Sequence, residues 1–201
     1  MRSSRTTAVR GFTLVELMIV VAIIGVLAAL AIFGVRKYLT AAKTAEARNT
    51  IGAISRSAVA AYDRDRMKGE LLGGGTLSAI GNQHTLCDKS TKVPAASVPA
   101  GKKYQPATGP TADWNAGTDT EGWRCLRFAM TEPHYYQYAY TKGATAQLTH
   151  GATIPSGASW LSEAAGDLNG DTIVGGFVGL GAVENDQAKI GTQLLENNGD
   201  E

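Results

Sequence analysis

Between positions 12 and 35 the chain reads FTLVELMIVVAIIGVLAALAIFGV, and Glu16 is the one ionisable side chain in that run. As a helix the stretch is about 36 Å long, enough to cross a bilayer core of about 30 Å. Arg2, Arg5 and Arg10 precede it and Arg36 and Lys37 follow it. The leading cluster favours an N-terminus kept in the cytoplasm and export of the bulk of the chain. A secretory signal peptide would place small residues for cleavage after the apolar run, where Arg36, Lys37, Tyr38 and Leu39 stand instead. The apolar pattern continues at helical spacing through Leu39, Ala42, Ala47, Ile51, Ile54, Ala58 and Tyr62. One helix is therefore expected over 12–66, apolar all round in 12–35 and amphipathic in 36–66. At roughly 80 Å it is longer than a domain of this size can cover. Only its second half can pack on the rest of the chain. The first half must be covered by lipid, or in an assembly by the same stretch of neighbouring copies.

Glu16 is what a bare membrane anchor does not explain. A carboxylate in such a helix costs about 2.5 kcal/mol or more near the bilayer centre and less toward its edge. Two readings stand side by side: a plain anchor that tolerates the charge, or a carboxylate kept because it pairs with a cation. The obvious cation is a new α-amino group made by cleavage nearby.

The string RGFTLVELMIVVAIIGVLAALAI, residues 10–32, closely resembles the N-terminal signature of type IV pilins and type II secretion pseudopilins. The resemblance implies a leader of residues 1–11, cut between Gly11 and Phe12 by the inner-membrane prepilin peptidase, with Phe12 then N-methylated by the same enzyme. Glu16 becomes the fifth mature residue, which in that family docks onto the N-terminal amine of a neighbouring subunit. Loss of three arginines from a chain of net charge +1 leaves −2, and with them goes the cytoplasmic retention signal. The short leader looks like the type IVa class. Many family members carry proline where Phe33 stands here, and that proline helps the helix unwind locally in filaments. Gly25 and Gly34, each about 1 kcal/mol less favourable than alanine in a helix, are candidates for that flexibility. Close packing of small residues between apolar helices is their other reading.

The remainder differs in kind. Most of the 24 glycines fall after Met67, among turn-forming residues. Residues 67–120 read as a long connection and 121–201 as a β-rich head, with strands expected at 123–130, 135–140, 144–150 and 173–180. Tyr135, Tyr136, Tyr138 and Tyr140 alternate in a way that suits packing on a helix, with a binding or electron-transfer surface as the rival reading. The two cysteines, Cys87 and Cys125, are too few for a zinc site. They read as one disulfide closing a loop worth about 4 kcal/mol in the chain-entropy model, or as two buried thiols. The string GDLNGDTIVGG places Asp167, Asn169 and Asp171 at alternate positions, as calcium loops do. Thr172 stands where an EF-hand has glycine and Val178 where it has the bidentate glutamate, so a Ca2+ loop and an Asx-rich turn both remain open.

No nucleophile–base pair, phosphate loop or metal-spaced histidine set accompanies these features. His84, His134 and His150 are scattered. A net charge of +1 gives no field for nucleic acid, and Lys102 and Lys103 read as solvated loop residues before they read as a DNA contact. The expectation is an α+β type IV pilin fold, the second half of the long helix packed on an antiparallel sheet. By resemblance, the chain is a non-enzymatic subunit that needs no cofactor, is anchored in the inner membrane as a precursor, and is handled by the pilus assembly machinery. It then forms a homo-oligomeric extracellular filament for adhesion, motility or DNA uptake, with the major pilin as first reading. A pseudopilin or minor pilin is the alternative, and a membrane-anchored exported enzyme the remote one.

Overall fold

The structure is a computed structural model that describes residues 11–64, 84–110, 112–149 and 152–199. Arg2, Arg5 and Arg10 of the leader, the glycine-rich string at 69–81 and His150 lie outside the described residues. The chain divides into two compact units, Met1–Leu39 and Thr40–Glu201. One helix, α1 (Leu14–Tyr62), contributes to both. In the first unit every side chain from Gly11 to Leu39 is exposed. Leu14, Ile19, Ile24, Leu30 and Phe33 each keep more than half of their surface open. This part of α1 is long and apolar enough to cross a membrane.

In the second unit α1 becomes one-sided. Thr44, Ala47, Thr50, Ile51, Ile54, Ser55, Ala58, Ala61 and Tyr62 are buried, a stripe at three- and four-residue steps. Ile51 and Ile54 are fully enclosed, each worth about 1.5–3 kcal/mol of burial. The stripe lies on a four-stranded antiparallel meander, β1 (Gln137–Lys142), β2 (Trp160–Gly166), β3 (Gly175–Glu184) and β4 (Gln187–Asn197), in that spatial order. The α+β arrangement read from the sequence is thus present. Helix and sheet come unusually close at β3, because a Cβ on Gly179 would stand 2.5 Å from Ile51 Cγ2. At the same level Ser55 Oγ donates to Ser162 Oγ at 3.0 Å. A Cβ on Gly181 would overlap the indole of Trp160, its cross-strand partner. Asn185 and Asp186, both at positive φ, make the two-residue turn from β3 to β4.

Tyr136, Tyr138 and Tyr140 are fully buried with Trp123, Trp160 and Phe177 in the core beneath the helix, so the alternating tyrosines are packing residues. The outer edge of β1 is lined by an earlier segment, with Val93 and Tyr138 exchanging N–H···O bonds of 2.9 and 2.8 Å. All seven residues of β2 are buried, because a second small core of Ala139, Leu148 and Ala165, with Val98 and Val174, covers the other face of the sheet.

Two expected strands are absent. Residues 123–130 instead begin in a short helix, α2 (Gly122–Leu126), ended by Arg127 at φ 54°, whose N–H returns to the carbonyls of Arg124 and Trp123. Trp123, Cys125 and Leu126 suit one helical turn that buries all three against the core. Residues 144–150 are loop as far as they are described. Their backbone N–H groups at Gln147 and Leu148 go to the buried Glu163 carboxylate at 2.8–3.0 Å, leaving none for a sheet ladder there. Two strands escaped sequence reading. β2 is rich in Ala, Ser and Glu, and β4 lacks clean alternation, so tertiary pairing decides both. The helix expected to reach 66 ends at Tyr62, where the Tyr62 hydroxyl donates to Asp186 Oδ1 and Arg64 donates to the Cys125 carbonyl.

His134 is wholly buried among the rings of Tyr104, Trp114 and Tyr138. Its Nδ1 stands 2.6 Å from the Tyr136 carbonyl, which makes Nδ1–H the donor, and Nε2 has no partner among the described residues. Burial pushes its pKa down, opposed in part by the Tyr136 carbonyl and Asp113 and assisted by Lys103. The unfolded chain therefore takes up this proton first. The neutral ring's full contribution is present above the unfolded value of about 6.5 and is lost as pH falls below it.

Two outcomes follow for thermal unfolding of the protein in detergent. Gly179→Val should lower stability by about 1–3 kcal/mol through overpacking against Ile51, whereas Gly52→Ala, which meets only the mobile end of Arg56, should be neutral or stabilising. His134→Phe should flatten the loss of stability between about pH 7 and 5, and an unchanged pH profile would show that another group governs it.

Candidate assembly and processing site

The N-terminal end of α1 is built by Thr13 and Glu16. Thr13 precedes the first helical residue, and its carbonyl accepts the Leu17 N–H at 3.2 Å. Thr13 Oγ1 accepts the Glu16 N–H at 3.2 Å, and Glu16 Oε2 accepts both the Thr13 N–H at 2.9 Å and the Thr13 hydroxyl at 2.7 Å. This is a capping box, in which the residue before the helix and the third residue within it satisfy one another's backbone donors. A carboxylate in the first turn also meets the positive end of the helix dipole, worth about 0.3–1 kcal/mol. Sequence reading singled out Glu16 and missed Thr13, although Thr-x-x-Glu ahead of an apolar run is the signature of such a cap.

Gly11 and Phe12 lie just before this cap and outside the helix, with Phe12 three-quarters exposed. Among the described residues nothing stands within 4 Å of where a side chain on Gly11 would begin. Gly25 and Gly34 lie inside unbroken helix, and among the described residues a Cβ on either would meet nothing within 4 Å beyond the helix's own backbone. No contact among the described residues therefore demands glycine at these positions.

The other candidates lie in the second unit. Cys87 and Cys125 form a disulfide with Cα atoms 5.9 Å apart, both sulfurs deep in the core. It joins the segment before Asp88 to α2, where the Asp88 N–H bonds to Thr120 and its carbonyl to the Gly122 N–H. The three residues of the calcium-like string are engaged with their own loop. The nearly buried Asp167 accepts the Gly170 N–H at 2.6 Å and the Thr172 N–H at 3.0 Å. Asn169 Oδ1 accepts the Asp171 N–H, while Asp171 accepts from Ile173 N–H and Asn169 Nδ2. Among the described residues no three His, Cys, Asp or Glu side chains converge. His84 lies at the helix end, its Nδ1 3.0 Å from the Tyr62 carbonyl. Lys103 sits 3.9 Å from Glu46 and over the Tyr135 ring, which Lys43 also covers. Lys102 is exposed.

Comparison with known proteins places the recognisable chemistry at the same end. Residues 7–32 match the family model described as the prokaryotic N-terminal methylation motif. The chain is 36% identical over 103 residues to the type IV major pilin protein PilA of Myxococcus xanthus (strain DK1622), covering 45% of this chain and 47% of that protein. It is 46% identical over 57 residues to the fimbrial protein EcpC of Eikenella corrodens, covering 28% of this chain and 37% of that one. The chain thus spans less than half the length of these relatives. No solved structure matches. The motif and the two relatives support the resemblance to type IV pilins read from residues 10–32.

Thr13→Val should cost about 0.5–2 kcal/mol of helix-end stability. Hydrogen exchange in detergent should show faster exchange confined to the first-turn amides, with Thr13→Ser restoring protection. Unchanged exchange in the valine variant would deny the cap.

Proposed function

We propose that this chain, which carries the type IV pilin signature, is made as an inner-membrane precursor and matured into a structural, non-catalytic subunit of an extracellular filament. Prepilin peptidase cuts between Gly11 and Phe12 and methylates the new amine of Phe12. The mature subunit is lifted from the membrane by the pilus assembly machinery and joins copies of itself in a helical fibre, as its major pilin. The fibre serves adhesion, surface motility or DNA uptake.

The observation that carries this reading is the conjunction at one end of α1. A fully exposed apolar run holds a single carboxylate, bonded to Thr13 and four residues after Phe12. Among the described residues nothing covers the run, and lipid or copies of itself are the cover it calls for. The cap lets Glu16 sit in an apolar setting at reduced cost, because one of its oxygens already accepts two donors. The other oxygen has no partner among the described residues and is the one open to a neighbour's Phe12 amine. Gly25 and Gly34 are the points at which α1 loosens when subunits pack.

Processing and docking separate experimentally. Replacing Gly11 with a bulky residue should leave the precursor uncut, and mass spectrometry of the normal protein should find methylated Phe12 at the mature N-terminus. A normal mature N-terminus in the Gly11 variant would refute the cleavage site. Glu16→Ala should be cut and methylated yet give few or no filaments, and a normal filament yield would remove Glu16 from assembly. Surface fibres lost with this gene mark the major subunit. Intact fibres with failed protein secretion would mark a pseudopilin instead.

A further inference from the structure

Two Asn–Gly steps occur in the chain, Asn169–Gly170 and Asn198–Gly199. Such steps react without any enzyme. The glycine nitrogen, having lost its proton to solvent base, attacks the asparagine Cγ, a new C–N bond closes a five-membered imide, and Nδ2 leaves as ammonia. Water then opens either imide carbonyl, giving aspartate or isoaspartate. Glycine favours this because no side chain shields its nitrogen. The reaction still needs a nitrogen that can lose its proton and a side-chain amide free to turn onto it.

The structure treats the two steps oppositely. At Asn169 the Gly170 N–H is held at 2.6 Å by the ionisable, nearly buried Asp167, whose negative charge opposes formation of a nitrogen anion. The Asn169 amide is held at both ends, Oδ1 by the Asp171 N–H at 2.8 Å and Nδ2 by Asp171 Oδ2 at 3.1 Å. At Asn198 the residue is exposed, just past the end of β4, with φ 46°. Neither its amide nor the Gly199 N–H has a hydrogen-bond partner among the described residues. The Glu196 carboxylate also stands beside Gly199, its Oε1 the nearest atom to where a side chain there would begin, but its charge is paired through Oε2 with Arg48 at 2.7 Å.

We infer that Asn198 is a site of spontaneous deamidation in the folded protein and that Asn169, with the more calcium-like surroundings, is protected from it by its own loop. The change places a new negative charge two residues from the Glu196–Arg48 pair that ties β4 to α1. The isoaspartate product also adds a methylene to the main chain there.

The full chain in detergent, incubated at mildly alkaline pH and sampled over days, tests this by peptide mapping with mass spectrometry. Native protein should accumulate the deamidation mass shift and its ammonia at Asn198 about tenfold faster than at Asn169, the factor expected for one strong hydrogen bond to the reacting nitrogen. In urea the two rates should converge, since the protection is structural. Asp167→Asn should raise the native rate at Asn169 alone, and the urea rates serve as reference should that variant fold poorly. Equal native rates, faster reaction at Asn169, or an unreactive Asn198 would each overturn the inference.

Discussion

The second unit depends on how closely one helix can approach one strand. Ala47, Ile51, Ser55 and Ala58 of α1 share the buried stripe, and β3 answers with Gly179 at the point where Ile51 descends. The gap is too small for a methyl group, and the Ser55–Ser162 hydrogen bond beside it satisfies two hydroxyls that would otherwise be buried at a cost. The three buried tyrosines and Trp160 fill the volume to either side. Small residues under the helix and large ones beside it are the same device in two parts, since close approach at the centre leaves wedge-shaped space that aromatic rings occupy.

The rest of the head is fastened to the sheet by polar groups that are individually exposed to failure but collectively satisfied. On the wholly buried carboxylate of Glu163 converge the backbone N–H groups of Gln147 and Leu148 and the Thr141 hydroxyl. That arrangement holds a loop over the far face of β2, so that this strand is covered on both sides by a single helix plus irregular chain. The disulfide performs a comparable task covalently for α2.

What the sequence disclosed divides along the same lines. α1 was legible because its pattern is long, and the switch from all-round apolarity to a stripe needs no tertiary information. Tyr136, Tyr138 and Tyr140 were legible as packing residues by alternation. β2 was not, because Trp160, Leu161, Ser162, Glu163, Ala164 and Ala165 are buried on both faces and so show neither alternation nor a purely apolar run. The loop at 144–149 looked like a strand since nothing local says that its N–H groups go to a glutamate many residues later. At the candidate site Glu16 stood out by charge alone, whereas Thr13 became significant only through the bonds it exchanges with it. At Asp167 the composition left a calcium loop and an Asx-rich turn both open, and what the fold adds is that its carboxylate accepts the Gly170 and Thr172 N–H groups.

The meander and the helix also differ in when they can be completed. Each strand pairs with its successor, so the sheet is assembled from contacts close in sequence, while Ser55 and Ser162 stand 107 residues apart. During synthesis α1 emerges first and is finished last, because Ile51 and Ser55 of its stripe rest on Gly179 of β3 and Ser162 of β2. A chain made in this order carries exposed apolar surface through most of its own production. The early helix is a half-built interface, and the late glycine-lined strand is what closes it.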